Sequence, residues 1–357
     1  MYYERENIKK MLGYVSGEQP EGSNTIKLNT NENPYPPAPD IQNVITNFSS
    51  ESLRRYPPAR ADKFRDLAAS LHGVERSNII ATRGGDELLR LLITTFVNPG
   101  EAIGMTSPTY SLYPVLAQIQ DCPSVMIPLN DDWSLPGTFT QQINRANCKL
   151  TFLVNPHAPS GKLFDTETLS TIASELNSVL LIDEAYVDFV DVNYDSIPLV
   201  CDNDNVIILR TLSKGYSLAG LRFGYGIGAE PLIKPMLDKT RDSYNLDLIG
   251  QQIAEAAISN RNYAMENCQK VANERNKLSE SLLELGLASE ASQTNFLLVT
   301  IPAEFVCTAK QLYEELKVRG ILIRYFAEEK LANKVRISIG LPQQNKTLVD
   351  AVKSLQL

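Results

Sequence analysis

The sequence has few histidines and cysteines, which limits the metal and redox chemistry that it can support. Its two histidines, His72 and His157, are too few for a histidine-built metal site, so no metal is expected. The five cysteines show no Cys-x-x-Cys spacing and are predicted to be reduced, mostly packing thiols. That cysteine usage is typical of a cytoplasmic protein.

Long apolar runs and basic clusters are also missing. No run of about 18 apolar residues is present to span a membrane, and the first residues, "MYYERENIKKMLGYV", lack the apolar core of a signal peptide. The net charge is −8, from 34 basic and 42 acidic residues without a Lys/Arg block. Neither a membrane nor a nucleic acid is therefore expected as a partner. Hydride-transfer enzymes are disfavoured because no Gly-x-Gly-x-x-Gly follows the first predicted strand.

What the sequence does contain is an alternation of short apolar runs and amphipathic helical patterns. Strands are predicted at "NIIAT", "AIGMT", "SVMIPL", "KLTFLV", "VLLID", "VIILR" and "YGIGA", with helices over 86–96 and 165–176 between some of them. Strands that alternate with helices predict an α/β fold, in which a mostly parallel central sheet is covered by helices on both faces.

The pattern changes after about residue 250, which predicts a division into domains. We expect a large domain over 31–250, a smaller α/β domain over 251–357, and an N-terminal segment, 1–30, that packs with the small domain. A long helical stretch is predicted over about 247–285, capped near Gly286. The runs "ILIRYF" and "KVRISIG" are predicted to be strands of the small domain.

Several polar residues directly follow predicted strands, at the sheet edge where open parallel sheets bind ligands. Asp183 ends "VLLID", Tyr186 follows three residues later, and Ser213 and Lys214 come just after "VIILR". The stretch "TRGGDELL" runs through two glycines into a helix start, where free N–H groups can bind a phosphate. Singly, each has an ordinary explanation, such as a helix cap for Asp86. Together on one edge they predict a site.

One cofactor needs this combination of groups. Pyridoxal phosphate requires a lysine for its Schiff base, a carboxylate at its ring nitrogen and a site for its phosphate. The stretches "LIDEAY", "TLSKGYSLAGLRFGY", "NPHAPSG" and "RGGDELL" resemble those of fold-type I pyridoxal-phosphate aminotransferases. The stretches "LNTNENPYPP", "RYPP", "GILIRYF" and "VRISIG" narrow the resemblance to the histidinol-phosphate aminotransferase family. It extends from about Tyr14 to Gly340.

The resemblance implies roles for the residues at the cofactor. Lys214 would carry the cofactor and then move a proton as general base and acid. Asp183 would keep the ring nitrogen protonated, and Tyr186 would hydrogen-bond the 3′-oxygen. The other implied contacts with the cofactor are made by backbone groups of Gly85 and Asp86, by the stacked ring of Tyr110, and by the phosphate ligands Ser213 and Arg222. The resemblance also implies a homodimer, in which Tyr56 would reach the cofactor phosphate of the neighbouring subunit.

The resemblance also implies a substrate and a reaction. Arg336 would bind the α-carboxylate of glutamate or 2-oxoglutarate, whereas Arg324, Tyr14 and Asn33 would lie near the distal end of the substrate, where a phosphate would bind. The implied activity exchanges the amino group between histidinol phosphate and 2-oxoglutarate, in histidine biosynthesis. An aromatic amino acid aminotransferase and a decarboxylase of phosphorylated amino acids are the alternatives. A ligand-sensing domain of a transcription regulator is disfavoured because no basic helix precedes the first motif.

One motif departs from the family pattern. The family usually has "NPNNPTG", in which the asparagine before "PTG" donates to the cofactor's 3′-oxygen. This chain has "NPHAPSG", so Ala158 occupies the donor position. Tyr186 is then expected to be the main partner of that oxygen, and either His157 or Asn155 could compensate.

Overall fold

The strands and helices alternate along most of the chain in the computed structural model, which describes residues 3–14, 17–19 and 25–356. The strands are β1 (Ile26–Lys27), β2 (Ile79–Thr82), β3 (Ile103–Ser107), β4 (Ser124–Pro128), β5 (Leu150–Val154), β6 (Val179–Asp183), β7 (Val206–Thr211), β8 (Gly224–Gly228), β9 (Phe296–Thr300), β10 (Ile321–Leu322), β11 (Arg324–Tyr325) and β12 (Lys334–Ser338). The α-helices are α1 (Glu6–Lys9), α2 (Pro39–Asn47), α3 (Asp62–His72), α4 (Gly84–Phe96), α5 (Leu112–Ile119), α6 (Phe139–Arg145), α7 (Thr166–Glu175), α8 (Ile197–Asp202), α9 (Glu230–Pro235), α10 (Leu248–Ser259), α11 (Arg261–Glu284), α12 (Ala309–Val318) and α13 (Pro342–Lys353).

Seven strands of the described chain form one sheet in the order β2-β8-β7-β6-β5-β3-β4. The pairs β7–β6, β6–β5, β5–β3 and β3–β4 are parallel, whereas β8 runs antiparallel to both β7 and β2. The predicted mostly parallel α/β sheet is therefore confirmed. Because β2 runs in the same direction as β6 and β7, the carboxyl ends of these strands meet at one edge of the sheet.

The central strands are apolar throughout because both of their faces are buried. On β6, Leu180 and Ile182 join the apolar core on one face of the sheet, and Leu181 joins the core on the other. On the neighbouring strand, Leu153 and Phe152 divide in the same way. Alternate side chains point to opposite faces of a strand, so the continuous apolar run supplies both cores at once.

A smaller unit follows the large sheet along the chain. Strands β11, β12 and β9 form an antiparallel sheet, and β1 pairs in parallel with β10. A third apolar core joins these strands to residues of α11, α12 and α13. The run "ILIRYF", predicted as one strand, is divided into β10 and β11, which belong to different sheets.

The single helical stretch predicted over 247–285 is wrong in one respect, since it consists of two helices that meet at Asn260. The Asn260 side chain donates to the carbonyl of Ala256 at 2.9 Å, which favours a helix end at this residue. Helix α10 packs against α2 and α3, and α11 against α13 and β9. Gly286 follows α11 in the left-handed conformation that suits a helix end (φ +81°). The domain boundaries drawn from the sequence stay predictions.

In the described ranges, no helix is long and apolar enough to cross a membrane. No group of three His, Cys, Asp or Glu side chains in those ranges is arranged to hold a metal ion. The five cysteines are free thiols.

Candidate active site

A cavity of about 300 Å³ opens at the carboxyl edge of the large sheet, where the smaller unit packs against it. Its walls combine residues that follow β2, β6 and β7 with residues of β11 and β12. Eleven of the residues predicted for the site line it: Tyr14, Gly85, Asp86, Tyr110, Asp183, Tyr186, Ser213, Lys214, Arg222, Arg324 and Arg336. Two predicted residues, Asn33 and Tyr56, are not among its lining residues.

Asp183 is the last residue of β6 and is held by two hydrogen bonds. The Tyr113 hydroxyl donates to its Oδ2 at 2.7 Å, and the Ala185 backbone N–H donates to its Oδ1 at 3.1 Å. Burial raises the pKa of Asp183 to about 6, and these two hydrogen bonds to the carboxylate oppose that rise. Tyr113 was not predicted from the sequence, although it lies three residues after Tyr110 in "TYSLY", and the two rings pack edge-to-face with their centres 5.5 Å apart.

Lys214 follows β7 and directs its amine into the cavity. Its Nζ donates to the carbonyl of Thr30 at 3.0 Å and lies 5.8 Å from the centre of the Tyr186 ring. Burial and the positive charge of Arg336 lower the pKa of Lys214 to about 8. A larger fraction of this amine is therefore uncharged near neutral pH, as a nucleophilic or proton-accepting lysine requires.

The start of helix α4 and the guanidinium of Arg222 form an anion cradle. A Cβ at Gly84 would lie 2.7 Å from Nη2 of Arg222, and the backbone φ of +72° is one that residues with a side chain rarely adopt, so glycine suits this position. Arg222 also donates to Oγ of Ser213 at 3.2 Å, which leaves the serine's own proton for a ligand. The helix begins at Gly84, so Asp86 lies inside its first turn rather than at the cap, and the N–H groups of Gly85 and Asp86 lack intrahelical partners.

Two arginines of the smaller unit form the opposite wall. Arg324 on β11 and Arg336 on β12 are register partners, and both guanidinium groups lie within 6 Å of the Phe326 ring centre. Arg336 donates to the carbonyl of Asn29 at 3.2 Å, but its buried Nε has no partner among the described residues. No carboxylate in the described ranges forms an ion pair with either arginine. An anionic ligand can therefore neutralise them.

The segment 29–31 joins these walls and contributes an asparagine, Asn31, that the sequence did not predict. Asn31 lines the cavity and donates from Nδ2 to the Tyr186 hydroxyl oxygen at 3.0 Å. Asn33 instead donates to the carbonyl of Gly215 at 3.2 Å and accepts from the N–H of Tyr35. Asn33 therefore braces the loop next to Lys214, and its contact with a substrate stays a prediction.

Neither candidate for compensating the missing asparagine faces the cavity. His157 is fully buried, with Nδ1 2.8 Å from Oγ of Ser160 and Nε2 3.0 Å from the carbonyl of Pro108. The side chain of Asn155 is engaged by the backbone of Phe164 and by a tyrosine hydroxyl. Ala158 does line the cavity, as the register predicts. Because the side chains of His157 and Asn155 bond to other partners, no side chain replaces the asparagine donor at the position of Ala158.

Two predicted tyrosines lie at the periphery. Tyr14 packs edge-on against Tyr110, with ring centres 6.1 Å apart, at the mouth of the cavity. Tyr56 is 80% exposed and stacks on Tyr244 at 4.4 Å, outside the cavity of its own chain. A role for Tyr56 in a second subunit stays a prediction.

Comparisons with known proteins agree with this geometry. A family model described as aminotransferase class I and II matches residues 23–352. Histidinol-phosphate aminotransferase 1 of Nostoc is 41% identical over 354 residues, which cover 99% of this chain and 98% of that protein. The histidinol-phosphate aminotransferase of Microcystis aeruginosa is 41% identical, and the alignment covers 98% of both chains.

A solved structure is similar over the same length. The histidinol-phosphate aminotransferase from Sinorhizobium meliloti, in complex with pyridoxal-5′-phosphate, superposes with a TM-score of 0.90 at 25% identity and covers 99% of both chains. The family model spans most of the chain, and the curated relatives match over nearly their whole length. The chain therefore belongs to the aminotransferase class I and II family and, within it, to the histidinol-phosphate aminotransferases.

Proposed function

We propose that the protein is a pyridoxal-phosphate-dependent aminotransferase that transfers the amino group between histidinol phosphate and 2-oxoglutarate, giving imidazole-acetol phosphate and glutamate. One observation carries the proposal. A buried lysine, Lys214, shares a cavity with two arginines, Arg324 and Arg336, that no carboxylate of the described chain neutralises. A reactive amine beside two arginines without acidic partners suits substrates that carry an anionic group, either an α-carboxylate or a distal phosphate.

The residues present fit the cofactor. The cradle of Gly84, Ser213 and Arg222 leaves backbone and side-chain donors for a phosphate, and a Cβ at Gly84 would fill it. Lys214 supplies the amine for attachment, and Asp183 supplies a carboxylate at the end of β6. When bound, pyridoxal phosphate supplies a protonated ring that withdraws electrons from the substrate α-carbon.

The protein's own residues hold and move protons around that ring. Asp183, ionised, holds the proton on the ring nitrogen, and Tyr113 keeps its carboxylate oriented by the 2.7 Å hydrogen bond. Tyr186 would donate to the 3′-oxygen, and the ring of Tyr110, which also lines the cavity, would pack against the cofactor. Lys214 would move the proton at the substrate α-carbon, as general base when it takes the proton and as general acid when it returns it.

The two arginines divide the substrates between them. Arg336 binds the α-carboxylate of glutamate and 2-oxoglutarate, because its planar guanidinium offers paired donors to a carboxylate. Arg324 and Tyr14 bind the distal phosphate of histidinol phosphate. Such an arrangement lets one cavity accept an amino acid in one half-reaction and a phosphorylated amine in the other.

We further infer a cytoplasmic homodimer with shared active sites. The proposal is supported by the exposure of Tyr56, which stacks on Tyr244 outside the cavity of its own chain and is accessible to a second subunit. Five free thiols suit a reducing compartment.

The experiment that tests the proposal is an amino-donor panel with 2-oxoglutarate as acceptor. It compares kcat/KM for histidinol phosphate, phenylalanine, tyrosine and phosphothreonine, and it measures CO2 release in parallel. We expect histidinol phosphate to exceed the aromatic amino acids by about 10²-fold or more, since an unpaired Arg324 rejects a substrate without a distal anion. A preference for phenylalanine or tyrosine would identify an aromatic aminotransferase instead. CO2 release from phosphothreonine would identify a decarboxylase.

A further inference from the structure

Asn31 connects the smaller unit to Tyr186 through an unusual set of hydrogen bonds. Its side chain is buried, with 1% of its surface exposed, and its backbone is left-handed (φ +57°). Its carbonyl accepts from Nδ2 of Asn295 at 2.9 Å, and its N–H donates to Oγ of Ser338 at 2.9 Å. Both partners belong to the smaller unit, since Ser338 ends β12 and Asn295 precedes β9.

The orientation of the Asn31 amide is fixed by Ser338. The serine oxygen already accepts from the Asn31 N–H, and the serine proton goes to Oδ1 of Asn31 at 2.9 Å. If the amide were turned over, Nδ2 would face Ser338, and the serine proton would lose its acceptor Oδ1. Nδ2 therefore faces Tyr186 and donates to its hydroxyl oxygen at 3.0 Å.

This arrangement fixes where the Tyr186 proton points. An amide N–H group can only donate, so the Tyr186 oxygen acts as acceptor toward Asn31 and its own proton must be directed elsewhere. Among the described residues, no other side chain or backbone group accepts that proton. Tyr186 lines the cavity, so a ligand there can accept this proton.

We propose that Asn31 is a positioning residue that directs the Tyr186 hydroxyl proton toward the cofactor's 3′-oxygen. The inference rests on the proposed cofactor. It explains how the 3′-oxygen is hydrogen-bonded in this chain, which has Ala158 where the family usually has an asparagine donor. With one side-chain donor left for a negatively charged oxygen, the direction of that donor matters more than in relatives with two. Because Ser338 and Asn295 hold Asn31, the direction is set by the docking of the smaller unit.

The test uses the full-length protein loaded with pyridoxal phosphate and follows the visible absorbance band against pH. A donor to the 3′-oxygen stabilises its negative charge, so losing the donor raises the midpoint of this titration. Asn31→Asp keeps the shape and suits a left-handed backbone, but it replaces the N–H donor by an acceptor that captures the Tyr186 proton. The same substitution is made in a Tyr186→Phe background, in a double-mutant cycle.

The negative charge of the aspartate affects the midpoint in both backgrounds. The difference between the midpoint shift with Tyr186 and the shift with Tyr186→Phe therefore measures the part that depends on the Tyr186 hydroxyl. We expect the midpoint to rise by about one pH unit more with tyrosine than with phenylalanine at residue 186, which is about tenfold in the acid constant. Equal shifts in the two backgrounds would overturn the proposal. Asn31→Gly, which also suits the positive φ, replaces Asn31→Asp in the same cycle if the charged variant does not fold.

Asn295→Ala is the matched control, because it loosens the same loop without touching the contact to Tyr186. It should leave the midpoint within about 0.3 pH unit of the parent. A shift as large as that of Asn31→Asp would show that loop placement, rather than the amide donor, sets the midpoint. A parent protein without any visible band would refute the proposed cofactor, which is a separate failure from that of the Asn31 inference.

Discussion

The ends of strands β6 and β7 carry charged residues on both faces of the large sheet, and the two faces hold their charges differently. On the cavity face, Asp183 and Lys214 form no ion pair within the described ranges. On the opposite face, Glu184 and Arg210 form a buried ion pair at 2.7 Å, and the Tyr194 hydroxyl donates to the same glutamate at 2.8 Å.

The difference separates charges that serve the fold from charges that serve a ligand. A buried charge without a partner is unfavourable, and it shifts its pKa toward the neutral form. Asp183 shows such a shift upward and Lys214 a shift downward. Groups of this kind are kept where a ligand supplies the missing partner, so the cavity face is the functional one.

Removing Lys214 should break catalysis without weakening the fold. Lys214→Ala is expected to lower kcat for transamination by about 10³-fold or more, since general acid–base catalysis alone is worth roughly 10²–10⁴. The free energy of unfolding of the cofactor-free protein should stay the same or rise, because an uncompensated buried cation is lost. Single-turnover kinetics and urea denaturation measure the two effects. Loss of stability by several kcal/mol would place Lys214 with the structural charges.

Removing Glu184, by contrast, should weaken the fold. Glu184→Ala leaves Arg210 buried without its partner and is expected to lower the free energy of unfolding by roughly 3–5 kcal/mol. The matched variant on the other face, Asp183→Asn, should lower kcat more than tenfold, because a neutral amide cannot stabilise a protonated ring nitrogen. It should leave the cofactor-free fold at least as stable as the parent, because a buried charge without an ionic partner is removed. Urea denaturation of both variants decides this. An equal loss of stability would contradict the separation of the two faces.

The contribution of Asp183 to the free energy of unfolding should depend on pH. Burial raises the pKa of Asp183 from its ordinary 3.8 to about 6 in the folded protein. Between these values the folded state keeps a proton that the unfolded chain releases, so the contribution of Asp183 to stability falls as the pH rises from about 4 to 6. Asp183→Asn should lack that fall.

The two arginines on the smaller unit should separate by substrate. Arg336→Ala is expected to lower kcat/KM for glutamate and 2-oxoglutarate by about 10²-fold, since a charged hydrogen-bond partner is worth roughly 1.5–3 kcal/mol. Arg324→Ala should damage histidinol phosphate more than glutamate. Arg336→Lys and Arg324→Lys serve as controls that keep the charge but lose the paired donors. Equal losses for both substrates in both alanine variants would refute the division of roles.

The smallest expected effect comes from restoring the missing donor. Ala158→Asn should lower the pH midpoint of the visible-band titration by about one unit, because one hydrogen bond to a charged group corresponds to roughly that shift. His157→Asn is a control, since its ring is bonded to Ser160 and Pro108 and does not face the cavity. An unchanged titration in well-folded Ala158→Asn would mean that residue 158 cannot reach the 3′-oxygen.

The parts of the site that could be predicted are those that follow a strand directly. Asp183 and Lys214 stand out in the sequence because each polar residue ends or follows an apolar run, and the shared direction of the strands brings them to one edge. The helix start at Gly84 was visible for the same reason.

The parts that were missed depend on contacts between distant segments. Tyr113 contacts Asp183 across 70 residues, and Asn31 contacts Tyr186 across 155, so no local pattern indicates either pair. The orientation of His157 is likewise set by the carbonyl of Pro108, 49 residues away. The break at Asn260 was missed because apolar periodicity continues on both sides of it.

The central claim is that Lys214 is the residue that carries the cofactor, and it has one direct measurement. The purified protein is incubated with pyridoxal phosphate, reduced with borohydride, digested and mapped by mass spectrometry. The account predicts a yellow protein whose visible band is bleached by borohydride, with the reduced cofactor on the peptide that contains Lys214. A reduced adduct on any other lysine, or no adduct at all, would contradict it.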